Sequence, residues 1–294
     1  MDALKQTRLE TLMSLSTGHP KITIGLIDGP IDFTHPAFQG SKIRTIKKSQ
    51  LAACRDAGNI ACSHGTFIAG ILCSKRGLAA PGICPGCEII LNPIFNKDID
   101  DDKTNGSGII PGTTPKKLSD AIIETIDAGA RIINLSLGLS TSTLIVYDRL
   151  QQAYDYALQK GVIIVVAAGN QGNIGNTSII SHQWLIPVSA CDGNGRLDAM
   201  SNFGPSIGSR GLMAPGVNVN STYPEGRYTR MSGTSFAAPF VTGGIALLWS
   251  LFPNYTAASI IYSVINSASS RRRSIIPALF NAEMAWKLLK NGIG

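Results

Sequence analysis

Four segments of this chain, KITIGLID (21–28), EIILNPIF (88–95), RIINLSL (131–137) and VIIVVAA (162–168), are apolar at almost every position. An alternating strand can leave one face in water, but a continuous apolar one needs cover on both faces. Helical segments separate them. HGTFIAGIL (64–72) reads as a helix start. LSDAIIETIDAGA (118–130) reads as a helix closed by Gly129, and LIVYDRLQQAYDYALQKG (144–161) as an amphipathic helix stopped by glycine. Buried strands alternating with helices predict an α/β fold of three layers, a largely parallel central sheet with helices on both faces. In such folds chemistry gathers at the carboxyl ends of strands and the amino ends of the helices that follow.

Composition matters here for what it excludes. With 294 residues, 44% hydrophobic and 15% charged, the chain can bury a large core, which excludes global disorder. No internal repeat and no Pro, Gly or Ser-rich linker divides it. The expected organisation is an N-terminal helical extension over 1–20 and a single domain over 21–294. Within the extension, MDALKQTRLETLMSLS sets Leu4, Leu9, Leu12 and Leu15 at near-helical spacing. That predicts a short amphipathic helix and not a cleavable signal, so the expected location is the cytoplasm, or outside the cell if the chain is a processed mature form. The formal net charge is +7, yet the densest basic run, Arg271-Arg272-Arg273, is not interleaved with aromatics and reads as a solvated loop. No nucleic-acid partner is expected. The longest apolar tract, Phe236 to Phe252, contains Pro239, Gly243, Gly244 and Ser250 and reads as a core helix, so no membrane partner is expected either.

Against this frame, four polar residues fall at predicted strand or helix ends. Asp28 closes its strand, Asn170 follows Ala167-Ala168-Gly169, and His64 and Ser235 stand at helix starts. A serine hydroxyl is a weak nucleophile near neutral pH and needs a base, and the base needs an acid to hold its tautomer. Histidine suits the base because it titrates near neutrality. Of the four histidines (His19, His35, His64, His182), only His64 precedes Gly-Thr and an apolar helix. Gly65 and Gly233 permit close backbone approach, Ala237 and Ala238 leave room for a substrate, and Asn170 offers N–H donors for an oxyanion. Each residue also has a plainer reading: Asp28 before Gly-Pro as a turn former, Ser235 as a helix cap, Asn170 before Gln-Gly as a turn asparagine.

Taken together, ITIGLIDGPID, SHGTFIAGI, INLSLG, VVAAGN, FGPS with MAPGV, and SGTSFAAPFVTG resemble the ordered signature blocks of the subtilisin-like serine proteases, from about Lys21 to Leu251. The resemblance implies a subtilisin-like fold with Asp28 as orienting acid, His64 as general base and acid, Ser235 as nucleophile and Asn170 as oxyanion donor. It further implies that Ser136-Leu137-Gly138 and Ala167-Ala168-Gly169 line the pocket for the residue before the scissile bond. The edge at Ser107-Gly108 would then pair with an extended peptide substrate as an added strand. No cofactor is implied.

Several positions depart from the family pattern. Asp28 is followed by Gly29-Pro30, where relatives have a small hydroxyl residue, and Phe67 stands where many have a second histidine. Ala37 after His35-Pro36, and Lys75-Arg76 after the histidine helix, lack the ligands of the calcium site of secreted relatives, so no metal is assigned. The acidic run KDIDDDKTNGSG (97–108) misses the usual calcium-loop spacing and reads as a solvated loop. Residues 171–183 lack the usual aromatic-proline element of the pocket floor, and His182 reads as a polar surface residue or a pocket residue. Cys84-Pro85-Gly86-Cys87 is a lone CxxC, open to a tight disulfide, free thiols or, with least support, zinc; Cys54 and Cys62 flank a short loop and could pair. The opening LKQTRLETLMSLSTGHPKITIGLIDGPID, with EIILNPIF, is similar to the proteases that mature cyanobactin-type ribosomal peptides. That similarity implies cleavage of a precursor peptide. A related branch macrocyclises through an insertion near the histidine, and the span from Asp28 to His64 is short for one. A non-catalytic binding module on a protease fold is the remaining alternative.

Overall fold

The computed structural model describes residues 3–46, 53–95, 113–137, 147–174, 178–268 and 274–292. Ser107 and Gly108, the acidic run around them, Gly138 and Arg271–Arg273 lie outside the described residues.

The continuous apolar segments become parallel strands. Ten strands are described: β1 (Thr23–Asp28), β2 (Lys42–Thr45), β3 (Glu88–Pro93), β4 (Ile132–Leu135), β5 (Ile163–Ala167), β6 (Leu185–Cys191), β7 (Leu212–Pro215), β8 (Val219–Tyr223), β9 (Arg227–Met231) and β10 (Ala278–Leu279). Eight form one sheet in the order β10-β7-β6-β5-β4-β1-β3-β2, with every pairing parallel. The other two, β8 and β9, make an antiparallel hairpin.

Side-chain alternation along each strand divides the core into two layers. Ile24, Leu26, Ile89, Leu91, Ile132, Ile163 and Val165 face the helices Ile60–Cys73 and Thr234–Leu251. Their neighbours Ile27, Ile90, Ile133, Leu135, Ile164 and Val166 face the helices Pro115–Asp127 and Asp148–Lys160. Helices on both faces of a parallel sheet give the three-layer α/β architecture expected of these strands. The Thr234–Leu251 helix is long and apolar enough to cross a membrane, but 89% of it is buried inside the fold, against β4 to β7.

At the amino end the predicted single helix is two, Ala3–Gln6 and Leu9–Leu15, separated by Arg8 in a left-handed conformation. Leu9 and Leu12 are fully buried, and Leu15 is half exposed. Arg76 ties this segment down through hydrogen bonds to the carbonyls of Met13, Ser16 and Ile83.

After β1 the chain builds β2 and β3 on one side, and then β4 to β7 and β10 on the other. The order reverses between β1 and β4, and the carboxyl ends at such a reversal are where sheets of this kind hold ligands. Asp28 ends β1, and Ser136 follows β4.

Candidate active site

Asp28 is fully buried, and its Oδ1 accepts hydrogen bonds from the Gly29 backbone N–H at 2.7 Å and from His64 Nδ1 at 2.6 Å. A carboxylate only accepts, so this bond holds the imidazole proton on Nδ1 and leaves Nε2 as the basic nitrogen. Nε2 is also buried and has no hydrogen-bond partner.

The structure moves His64 from a helix start to the second turn. Asn59 caps the helix by accepting from Cys62 N, and helical structure begins at Ile60. The two elements bearing the pair meet backbone to backbone. A Cβ on Gly65 would lie 2.5 Å from the Pro30 carbonyl oxygen and 2.6 Å from that of Gly29. The Thr66 hydroxyl accepts from Asp32 N at 2.9 Å. A disulfide, Cys54–Cys62, joins the preceding loop to the first turn of this helix. Cys84 and Cys87 are free and buried, as are Cys73 and Cys191.

Ser235 is the second residue of the Thr234–Leu251 helix, so its backbone N–H is among those with no intrahelical acceptor. Gly233, at φ 148°, turns the chain into that helix. The Ser235 hydroxyl donates to the Ser136 carbonyl at 3.2 Å. In return, Ser136 Oγ donates to the Ser235 carbonyl at 2.8 Å. Behind Ser136 runs a buried chain, Thr242 Oγ1 to Asn134 Oδ1 and Asn134 Nδ2 to Ser136 Oγ, each link 2.8 Å. The Phe236 ring, next in sequence to Ser235, lies 5.4 Å from the His64 ring and 4.7 Å from Phe67, which brings the amino end of the serine helix beside the histidine helix. Phe67 therefore packs edge-on against Phe236, the aromatic that also neighbours His64.

Asn170 is exposed, and its orientation is set by Thr234. Asn170 Oδ1 accepts from the Thr234 backbone N–H at 2.8 Å and from its hydroxyl at 2.9 Å. The amide group lies over Gly233, where an added Cβ would stand 3.3 Å from Nδ2 and 3.6 Å from Oδ1. Of the pocket-lining residues inferred from the sequence, Ser136 and Leu137 leave the end of β4 while Ala167, Ala168 and Gly169 leave the end of β5, its parallel neighbour. All but Gly169 are buried.

One expectation changes, and one open reading is resolved. Ala237 and Ala238 are fully buried in the core, so their small size lets the helix seat on the sheet and clears no space for a substrate. Of its two readings, His182 takes that of a polar surface residue, beside the Asp148–Lys160 helix. Its Nε2 pairs with Asp155 at 3.1 Å, its Nδ1 accepts from Trp184 N, and its ring lies against Tyr154. Thr234, Asn134 and Thr242, which hold the site together, were not singled out from the sequence. Thr234 stands inside the SGTS block and was the one with a signal.

Comparison with known proteins gives a consistent result. The family model described as Peptidase_S8, Subtilase family, matches residues 19–282. A thermophilic serine proteinase of Bacillus sp. (strain AK1) is 36% identical over 228 residues, 76% of this chain and 51% of that protein. Subtilisin DY of Bacillus licheniformis is 28% identical over 271 residues, 90% of each. The chain spans about half the length of the Bacillus proteinase and of a thermostable alkaline protease from Halalkalibacterium halodurans (strain ATCC BAA-125 / DSM 18197 / FERM 7344 / JCM 9153 / C-125). Among solved structures, the prenylagaramide maturation protease PagA superposes with a TM-score of 0.82 at 27% identity, covering 96% of this chain and 98% of that one. A mutant of the protease domain of PatA superposes at 0.83 and 30% identity, covering 95% and 98%. The PatG macrocyclase domain, at 22% identity, shares the fold. The chain thus belongs to the subtilase family of serine proteases, and its structural likeness extends to the cyanobactin maturation proteases.

Proposed function

We propose that this chain is a serine endopeptidase that cleaves a ribosomally made precursor peptide through an acyl-enzyme on Ser235. The observation that carries the reading is the buried Asp28–His64 pair at 2.6 Å, set beside the serine helix with its Nε2 unbonded. Ahead of attack the Ser235 hydroxyl turns from the Ser136 carbonyl to His64 Nε2. Oγ then bonds to the scissile carbonyl carbon as Nε2 takes the proton. Asn170 Nδ2 and the Ser235 backbone N–H receive the oxyanion. Collapse breaks the C–N bond, and His64 passes its proton to the leaving amine. A water molecule, deprotonated by the same nitrogen, releases the acyl group. The Asp28 carboxylate balances the imidazolium that forms twice per cycle.

The residue before the scissile bond would lie between the ends of β4 and β5, against Ser136–Leu137 and Ala167–Gly169. The precursor-peptide reading is supported by the likeness to two maturation proteases across nearly the whole chain.

Intact-mass analysis after treatment with a fluorophosphonate tests the reading. One adduct on the wild type and none on Ser235→Ala is the expected result. No adduct on the wild type would mean a binding module in place of an enzyme. A cyclic product from a precursor peptide, read in the same mass spectrometer, would assign the chain to transamidation.

A further inference from the structure

Asn202 is 1% exposed, outside the residues given roles above, and every polar atom of its side chain is used. Its Oδ1 accepts from the backbone N–H groups of Gln171 at 3.1 Å and Asn173 at 3.0 Å. Its Nδ2 donates to the Ala168 carbonyl at 3.0 Å and to Gln171 Oε1 at 2.8 Å. The main chain adds to this, because Asn202 N donates to the Gly169 carbonyl at 2.9 Å and Gly172 N to the Met200 carbonyl at 2.8 Å. All of these bonds land on residues 168–173, the loop that carries Asn170. The fit is close: Gly169, at φ 105°, lies where an added Cβ would collide with Asn202 Nδ2. Asn202 is itself anchored from below, its carbonyl accepting from the Ser189 hydroxyl on β6 at 2.8 Å.

A loop of six residues with a glycine at each of two positions has no regular structure to hold it. Its outward member, Asn170, is fixed on one side by Thr234. An oxyanion donor works because it is already in place when charge develops, and a donor free to shift by a fraction of an ångström loses most of that benefit. We infer that Asn202 is a positioning residue for oxyanion stabilisation, holding the 168–173 loop so that Asn170 Nδ2 stays aimed at the reacting carbonyl oxygen. This rests on the acyl-transfer reading above, and the role belongs to the rate of the chemical step and not to peptide binding.

A double-mutant cycle on Asn170 and Asn202 tests it, with p-nitrophenyl esters of N-acyl amino acids as probes and active sites titrated by fluorophosphonate. Asn202→Ala is expected to lower kcat by roughly tenfold with KM changed by less than about threefold. That is a fraction of the roughly 100- to 1000-fold attached to an oxyanion donor itself. In an Asn170→Ala background the same change should cost nothing further. If Asn202→Ala does not fold, Asn202→Asp reads the same cycle, since it keeps the acceptor bonds from Gln171 and Asn173 and loses the donor bonds. A kcat equal to wild type, or a loss that multiplies undiminished with that of Asn170→Ala, overturns the inference while leaving the protease reading intact. A wild type that neither turns over the esters nor takes the phosphonate overturns both.

Discussion

Gly65→Ala is the most demanding test of the Asp28–His64 geometry, because it alters neither residue. The added Cβ would lie 2.5 Å from the Pro30 carbonyl oxygen, about 0.9 Å short of the 3.4 Å at which such contacts become ordinary. The oxygen is backbone, in the turn that follows Asp28, and the Cβ is fixed to the backbone of the helix that bears His64, so no side chain can swing aside. The two elements must part by most of that shortfall. If the movement runs along the Asp28–His64 bond, 2.6 Å becomes roughly 3.5 Å, outside the range of charge-assisted hydrogen bonds. Misplacement of a catalytic group by about 1 Å costs on the order of 100-fold. Overpacking itself destabilises by roughly 1–3 kcal/mol. We expect kcat per phosphonate-titrated site to fall about 100-fold, with KM nearly unchanged and the melting temperature lowered by several degrees. Gly70→Ala is the control: on the same helix, its Cβ would meet the Thr222 and Ser221 hydroxyls on β8, away from Asp28. It should lower stability and spare kcat. Wild-type kcat in Gly65→Ala, or an equal loss in Gly70→Ala, would refute the reasoning.

Three further outcomes follow from the same geometry. Asp28→Asn places an amide beside His64 Nδ1, favours the wrong tautomer and should cost about 10⁴-fold in kcat; a loss below tenfold would remove Asp28 from the mechanism. The Cys54–Cys62 bridge closes a loop with a sequence separation of 8, so Cys54→Ser with Cys62→Ser should lose about 2–3 kcal/mol in urea unfolding, and unchanged stability would show that the loop is held by other contacts. Burial pushes the Cys73 and Cys191 thiols up from 9.0 to about 12. The folded state therefore holds these protons more tightly than the unfolded chain, and their stabilising effect is full below pH 9 and lost as pH rises towards 12. Urea midpoints should fall between pH 8 and pH 10 by more in the wild type than in Cys191→Ala, and equal falls would contradict the assignment.

How much of this was legible in the sequence depends on how local the signal is. The strands β1, β3, β4 and β5 were readable because burial on both faces makes every position apolar, and each was placed to within two residues. β6 is buried along its whole length but contains Pro187 and Ser189, residues that argue against a strand when read alone. Its serine is satisfied by the Asn202 carbonyl, a partner no strand propensity anticipates. β2 is a half-exposed edge of four residues, and β10 has two. Neither is long enough to show a period. The histidine helix begins one turn earlier than its apolar run because Asn59 caps it, a cue easily taken for loop in a stretch that also holds Asp56 and Gly58.

The site divides along the same line. Residues that would carry chemistry are legible only together: a serine, a histidine and an aspartate each have a plainer reading alone, and their joint placement at strand and helix ends is what points to a site. Residues that hold them in place are not legible in that way. Thr242 reaches Asn134 across 108 positions of sequence, Thr234 reaches Asn170 across 64, and Asn202 reaches Ala168 across 34. Such pairs leave no periodic trace, and Thr242, Asn134, Thr234 and Asn202, all buried, each read alone as an ordinary polar residue. Their burial tells against that bland reading. An uncompensated amide in a core costs several kcal/mol, so Asn134 and Asn202 are tolerable only because their partners are in place. Their bonds converge on two segments tied to the amino end of the serine helix, Ser136 to Ser235 and the Asn170 loop to Thr234. A fold needing only stability could fill both positions with apolar side chains; a fold that must hold a nucleophile and an oxyanion donor in fixed relation has reason to keep the amides.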